Sequence, residues 1–187
     1  MGILSGVALL NYAYEVMISA FDIAPEHSGV KDALRIMSHK TGLYGMLGGQ
    51  SVDVENDGKP ITQDMLDYIY RHKTSALIEA AMMTGAVLGG AGKEQVAVIE
   101  KAAENIGLAF QIQDDILDVI SSSEELGKPV HSDEKNNKVT YVTLFGIQEA
   151  SQKVSGLSQE AVSLLEGLDQ KNEFLMDLVR YLVDRRK

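Results

Sequence analysis

Residues 108–120 read LAFQIQDDILDVI. Leu108, Ala109, Phe110, Ile112, Ile116, Leu117, Val119 and Ile120 suit a buried helix, yet Asp114, Asp115 and Asp118 sit among them. On a helix, Gln111, Asp114, Asp115 and Asp118 fall at i, i+3, i+4 and i+7 and form one stripe. Residues 102–123 contain no lysine or arginine to balance these charges. Like charges within two turns repel. The stripe is therefore either a solvated acidic face or one wall of a cavity that takes a cation. With carboxylate oxygens and no nearby Cys or His, a hard divalent ion fits, Mg²⁺ before Zn²⁺. Mg²⁺ keeps several waters and characteristically joins one or two carboxylates to substrate phosphates.

The rest of the chain agrees with a helical setting. Its 187 residues are 45 % hydrophobic, enough for one domain, 1–187, with a real core. Only 3 prolines occur, and alternating apolar runs bounded by turns are absent, so the fold class is all-α. A formal net charge of −10 with scattered basic residues speaks against a nucleic-acid partner. Arg185, Arg186 and Lys187 cluster at the end, where cations favour a helix C-terminus. Without cysteine there is no disulfide framework, which fits a cytoplasmic setting. No unbroken run of 18 apolar residues appears, so no transmembrane segment is expected. MGILSGVALLNYAYE lacks the basic start of a signal peptide.

Spacing predicts a helix over 3–20 and another over 30–46, broken at Gly42. SVDVENDGKPIT (51–62) reads as a loop, and Thr62 as the N-cap of a long helix reaching Leu88. Ala80, Ala81, Gly85, Ala86, Gly89 and Gly90 give that helix a small-residue face. The next helix runs from Lys93 to Ile120, and 121–138 is loop-like. From Val139 the pattern is helical with a break near Gly156. Two amphipathic helices follow, around Leu164–Leu168 and Phe174–Leu182. Six to eight helices are expected.

RHKTSAL (71–77) places Lys73 and Thr74 inside a helix. ELGKP (125–129) places Lys128 in the loop after the acidic helix, and NNKVTY places Lys138 and Thr140 at its end. If these cations reach the cavity of the stripe, they are diphosphate ligands.

Together these segments resemble the trans-prenyltransferases, the polyprenyl and farnesyl diphosphate synthase family. FQIQDDILDV is similar to the family's second aspartate-rich motif. Gly48, Gly49, Gln50 and Asp53 resemble its Gly-Gly-Gln…Asp segment, RHKTSALIEAA its Lys-Thr helix, and LGKPVHSDEKNNKVTY its Gly-Lys loop. The resemblance implies an isoprenoid-synthase-type helical bundle and a short-chain prenyltransferase reaction, with farnesyl diphosphate the first guess for product and geranylgeranyl diphosphate the second. An allylic diphosphate would ionise and be attacked by isopentenyl diphosphate. It implies that Asp114 binds Mg²⁺ directly, that Asp115 and Asp118 support it, and that Lys73 and Lys128 contact the diphosphate. Gln111 and Thr74 would line the site near the reacting carbons, with Lys138 a further substrate contact.

Departures from the family pattern are equally specific. No DDxxD-like segment precedes residue 114, and Asp22, Asp32 and Asp53 stand isolated. ILSGVALLNYAYE resembles a segment that in the family lies well inside the chain, and Val7 stands where Asp is usual. The sequence thus reads as the C-terminal portion of a synthase, N-terminally truncated. It is a fragment, a subunit of a heteromeric enzyme, or a non-catalytic relative. An α-helical interaction module with an acidic face is the reading from another class. Self-association, most simply a homodimer, is expected.

Overall fold

A computed structural model describes residues 1–120 and 139–184. Among them there are helices and no strands. In chain order these are α1 (Gly2–Ile18), α2 (Ala20–Ile23), α3 (Gly29–Thr41), α4 (Met46–Glu55), α5 (Gln63–Tyr70), a π turn (Arg71–Ser75), α6 (Ala76–Leu88), α7 (Lys93–Ile120), α8 (Tyr141–Glu166) and α9 (Glu173–Asp184).

The 28-residue α7 is the axis. At 1.5 Å per residue it is about 42 Å long. It packs against α8, α6, the π turn, α5 and α9. Two apolar clusters lie along it. Toward its C-terminal end, Leu108, Ile112 and Ile116 meet Leu66, Ile69 and Tyr70 of α5 and Tyr141, Val154 and Leu157 of α8. Further back, Ala102 and Ile106 meet Ala161 and Leu165 of α8 and Met176 and Val179 of α9.

The start signals behave as the sequence suggests. Thr62 caps α5, its Oγ1 accepting from the Met65 N–H at 3.3 Å. Thr140 and Thr143 cap each other at the start of α8, the reciprocal arrangement that satisfies two orphan donors. Gly42 ends α3 as expected.

Three expectations are corrected. Residues 51–55 are helical, because α4 runs on to Glu55 and the turn formers act only from Asn56. Val52 packs against the first apolar cluster and Asp53 ion-pairs with Lys73, so tertiary contacts carry the helix past a polar stretch. Second, α8 passes through Gly156 unbroken and kinks instead at Gly146, where φ is 80°. Val154, Leu157 and Ser158 are buried around Gly156, so packing holds it helical. Leu164 and Leu165 therefore end this long helix rather than form a separate one. Third, Gly2–Ile23 is long and apolar enough to cross a membrane by length and composition. Asn11, Tyr12, Tyr14 and Glu15 interrupt the run of letters without making the segment polar on average. None of it is buried within the chain.

Candidate active site

The π turn is the element that builds the site. A π turn carries one extra residue per turn, widening the helix and re-aiming its side chains, and such turns favour functional positions. Here it holds Lys73 and Thr74. Two glycines let neighbouring helices close on it. A Cβ on Gly49 of α4 would stand 2.7 Å from the His72 Cβ, and one on Gly107 of α7 would stand 2.6 Å from the Ser75 Cβ. Both distances are shorter than any real Cβ contact, so only glycine permits the approach.

Specific polar contacts then set the register. The Thr74 hydroxyl donates to Gln111 Oε1 at 2.8 Å. Lys73 Nζ pairs with Asp53 Oδ2 of α4 at 2.5 Å. Arg71 forms an ion pair with Glu104 of α7. The turn is thus tied to α7 at residues 104 and 111, on either side of Gly107, and to α4 through Lys73.

The acidic stripe starts where Thr74 meets Gln111 and continues along α7 through Asp114 to Asp118. Its three carboxylates are not equivalent. Asp114 is half-buried, whereas Asp115 and Asp118 are each only 4 % exposed. Asp115 Oδ2 accepts from the Tyr70 hydroxyl at 2.7 Å and from the Tyr141 backbone N–H at 3.1 Å. It therefore clamps α5 and the start of α8 onto α7. The Tyr141 hydroxyl donates to Asp67. Burial and the Asp67 carboxylate push that phenol well above its ordinary pKa of 10.0.

Structure thus brings Thr74 to Gln111, with Asp114 and Asp118 further along the same face of α7, while the adjacent Lys73 pairs with Asp53 of α4. Lys128 and Lys138 lie outside the described residues. Sequence reading left Asp53 isolated, and only the packing of α4 on the π turn joins it to Lys73. The Gly48-Gly49-Gln50 run followed by Asp53 was the available signal.

Beside the turn, Lys40 of α3 reaches into a second ionic cluster. It pairs with Glu79 of α6 and, at 2.5 Å, with Glu100 of α7. Burial pulls its pKa down, but hydrogen bonds and charge from Glu100 and Glu79 outweigh this, and it lies above the ordinary 10.5. These groups, with Arg71, Lys101 and Glu104, line a cleft of about 360 Å³ in which positive and negative charges balance.

Among the described residues no three His, Cys, Asp or Glu side chains close into a metal cage. What α7 offers is a pair of hard oxygen donors, Asp114 and Asp118, on one helix face.

Comparison with known proteins settles the family. The sequence pattern described as polyprenyl synthetase matches residues 1–177. The chain belongs to the polyprenyl synthetase family. Its relatives in that family are prenyltransferases. A farnesyl diphosphate synthase of Escherichia coli is 39 % identical over 192 residues, covering 99 % of this chain and 63 % of the relative. A geranylgeranyl diphosphate synthase of Cyanophora paradoxa is 38 % identical, covering 99 % and 62 %. Among solved structures, a geranyltransferase from Helicobacter pylori complexed with magnesium and isoprenyl diphosphate superposes with a TM-score of 0.79. It is 30 % identical, and the match covers 97 % of this chain and 59 % of that one. The chain spans between 59 and 63 % of the length of these three relatives. The α1 segment lies inside the family match, as does every described site residue.

Proposed function

We propose that this chain carries the allylic-diphosphate wall of a short-chain trans-prenyl diphosphate synthase, of the farnesyl type, working with Mg²⁺. The observation that supports it most is the convergence of the π turn and α7: Thr74, next to Lys73 on the turn, bonds Gln111 at the head of the face that bears Asp114 and Asp118.

The chemistry asks for a stabilised leaving group and a dry cavity. Ionisation of an allylic diphosphate concentrates negative charge on the departing diphosphate. Asp114 and Asp118 would hold Mg²⁺, which when bound neutralises that charge as a Lewis acid. Lys73 supplies a second, fixed positive charge at the same end, and Lys128 and Lys138 are the further cations proposed to contact substrate. Thr74 and Gln111, oriented by their mutual hydrogen bond, line the wall beside the reacting carbons. Asp115 acts behind them, keeping Tyr70 and the start of α8 against α7. Isopentenyl diphosphate is the proposed second substrate, its double bond attacking the allylic cation.

Self-association belongs to the same proposal. Ile3, Leu4, Val7, Leu9 and Leu10 of α1 are exposed, and a homodimer that buries them would remove a contiguous apolar surface from water. A heteromeric or non-catalytic subunit is the second reading. It is favoured by the likeness to a heterodimeric geranylgeranyl pyrophosphate synthase large subunit of Arabidopsis thaliana, 36 % identical over 189 residues.

The test is binding before turnover. Inorganic diphosphate titrated with Mg²⁺ into the chain should give a calorimetric signal that Asp114→Ala lowers by about tenfold or more. Release of diphosphate from geranyl diphosphate and isopentenyl diphosphate, lost in the same variant, would add catalysis. Binding without release favours the subunit reading. No Mg²⁺-dependent binding at all would remove the site.

A further inference from the structure

We infer that Asp53 is a positioning residue for Lys73, a resident counter-ion that holds the ammonium in place and weakens the grip of this end of the bundle on diphosphate. The inference rests on the reading of Lys73 as a diphosphate ligand.

Asp53 stands two turns into α4, and its Oδ2 lies 2.5 Å from Lys73 Nζ. The pair is half-sheltered, with the lysine side chain 35 % exposed and the aspartate 20 %. Water therefore screens it only in part. The geometry is fixed by more than the pair itself. Gly49, one turn earlier on α4, lets the backbones close at His72 and Lys73. Thr74, the next residue on the π turn, is held by Gln111 on the opposite side. Lys73 is thus suspended between two helices, with α4 supplying its charge partner and α7 its register.

An arriving diphosphate carries more charge than a carboxylate and competes well for the ammonium. To take the ammonium, the diphosphate must break the Asp53–Lys73 ion pair, and that attraction is subtracted from its own binding. The net effect is a lysine already extended and ordered, which lowers the entropic cost of using it, combined with the cost of breaking its ion pair with Asp53 each time diphosphate binds. A site that binds substrate and released diphosphate too tightly gains nothing in rate, so a built-in penalty of this kind favours product departure.

The experiment is a double-variant cycle read by calorimetry with Mg²⁺ and inorganic diphosphate. Asp53→Asn keeps the shape and removes the charge, and it should bind diphosphate about fivefold more tightly than the unaltered chain. Asp53→Glu should return the affinity to near its starting value. In a Lys73→Gln background the gain from Asp53→Asn should vanish, which a purely structural role for Asp53 would not produce. Unchanged or weaker binding by a folded Asp53→Asn chain overturns the inference while leaving the site intact, as does a gain that persists without Lys73. Absence of binding in the unaltered chain and in Asp53→Asn alike overturns both the inference and the reading beneath it.

Discussion

Helices α1 and α7 are made of similar material and lie in opposite surroundings. Each is a long apolar run interrupted by carboxylate, Glu15 in α1 and the aspartate stripe in α7. Twelve of the 17 residues from Ala102 to Asp118 are buried in α7, whereas α1 buries no residue. The difference lies in the neighbours. Five elements pack on α7. Helix α1 continues into α2, and a hydroxyl contact of 3.4 Å between Tyr14 and Thr41 joins it to α3. Apolar composition measures how much a helix gains from being covered; it does not say what covers it. For the same reason Asp115 in α7 is buried and bonded to two other helices, while Glu15 stays on an exposed face paired with Asn11.

The sharpest way to probe this contrast is to remove the charge that ties α7 to the bundle. Lys40→Met strands Glu79 and Glu100, and it should cost about 3 kcal/mol in urea unfolding at neutral pH. The loss should depend on pH in one direction. The Lys40 pKa is raised on folding, so its stabilisation is complete below the ordinary 10.5 and disappears as pH climbs through the higher folded value. The gap between the two proteins should therefore close in strong alkali. Tyr141, also raised, makes both proteins lose stability over the same alkaline range. A gap that stays constant above pH 10.5 would break the account of the ionic cluster.

A single substitution made in both helices comes next. Gly107→Ala drives a methyl group into Ser75 and should cost about 2 kcal/mol. It should also loosen the Thr74–Gln111 bond, read as faster amide exchange in the π turn. Gly6→Ala in α1 meets nothing within 4 Å and should stabilise that helix by about 0.5 kcal/mol. Equal effects at the two positions would mean that α7 is no more tightly packed than α1.

The smallest expected change in monomer stability belongs to Leu4→Ser. Leu4 is 66 % exposed, and its loss should shift the unfolding free energy by less than about 0.5 kcal/mol. If α1 is covered by a second copy, the same change should weaken self-association measured by light scattering at micromolar concentration. A Leu4→Ser chain that associates like the unaltered one would separate α1 from the proposed homodimer.

Much of this was legible beforehand where a signal is local. Thr62 announced a helix start because a hydroxyl three residues before a free N–H caps it in almost any context. The pattern of α7 was visible because its apolar positions repeat at helical spacing. Other features depend on partners distant in the chain. Residues 51–55 look like a loop until Lys73 and the first apolar cluster are beside them. Gly146 and Gly156 carry the same intrinsic freedom, and burial of the neighbours decides which one bends. Asp115 cannot be told from Asp114 by spacing, since the two differ only in what lies 100° further round the helix.

By itself the sequence determined the helical class, the ends of most helices, the acidic stripe and the family. These follow from periodicity and capping, whose energies act within a few residues. Tertiary structure alone decided that the Lys-Thr segment is a π turn pinched by Gly49 and Gly107, that Asp53 answers Lys73, and that Asp115 holds two tyrosines. Each of those is a contact between groups 20 to 45 residues apart, apart from the turn itself. Such contacts form only after apolar burial has brought the helices together, because their own energies are too small to close the chain unaided.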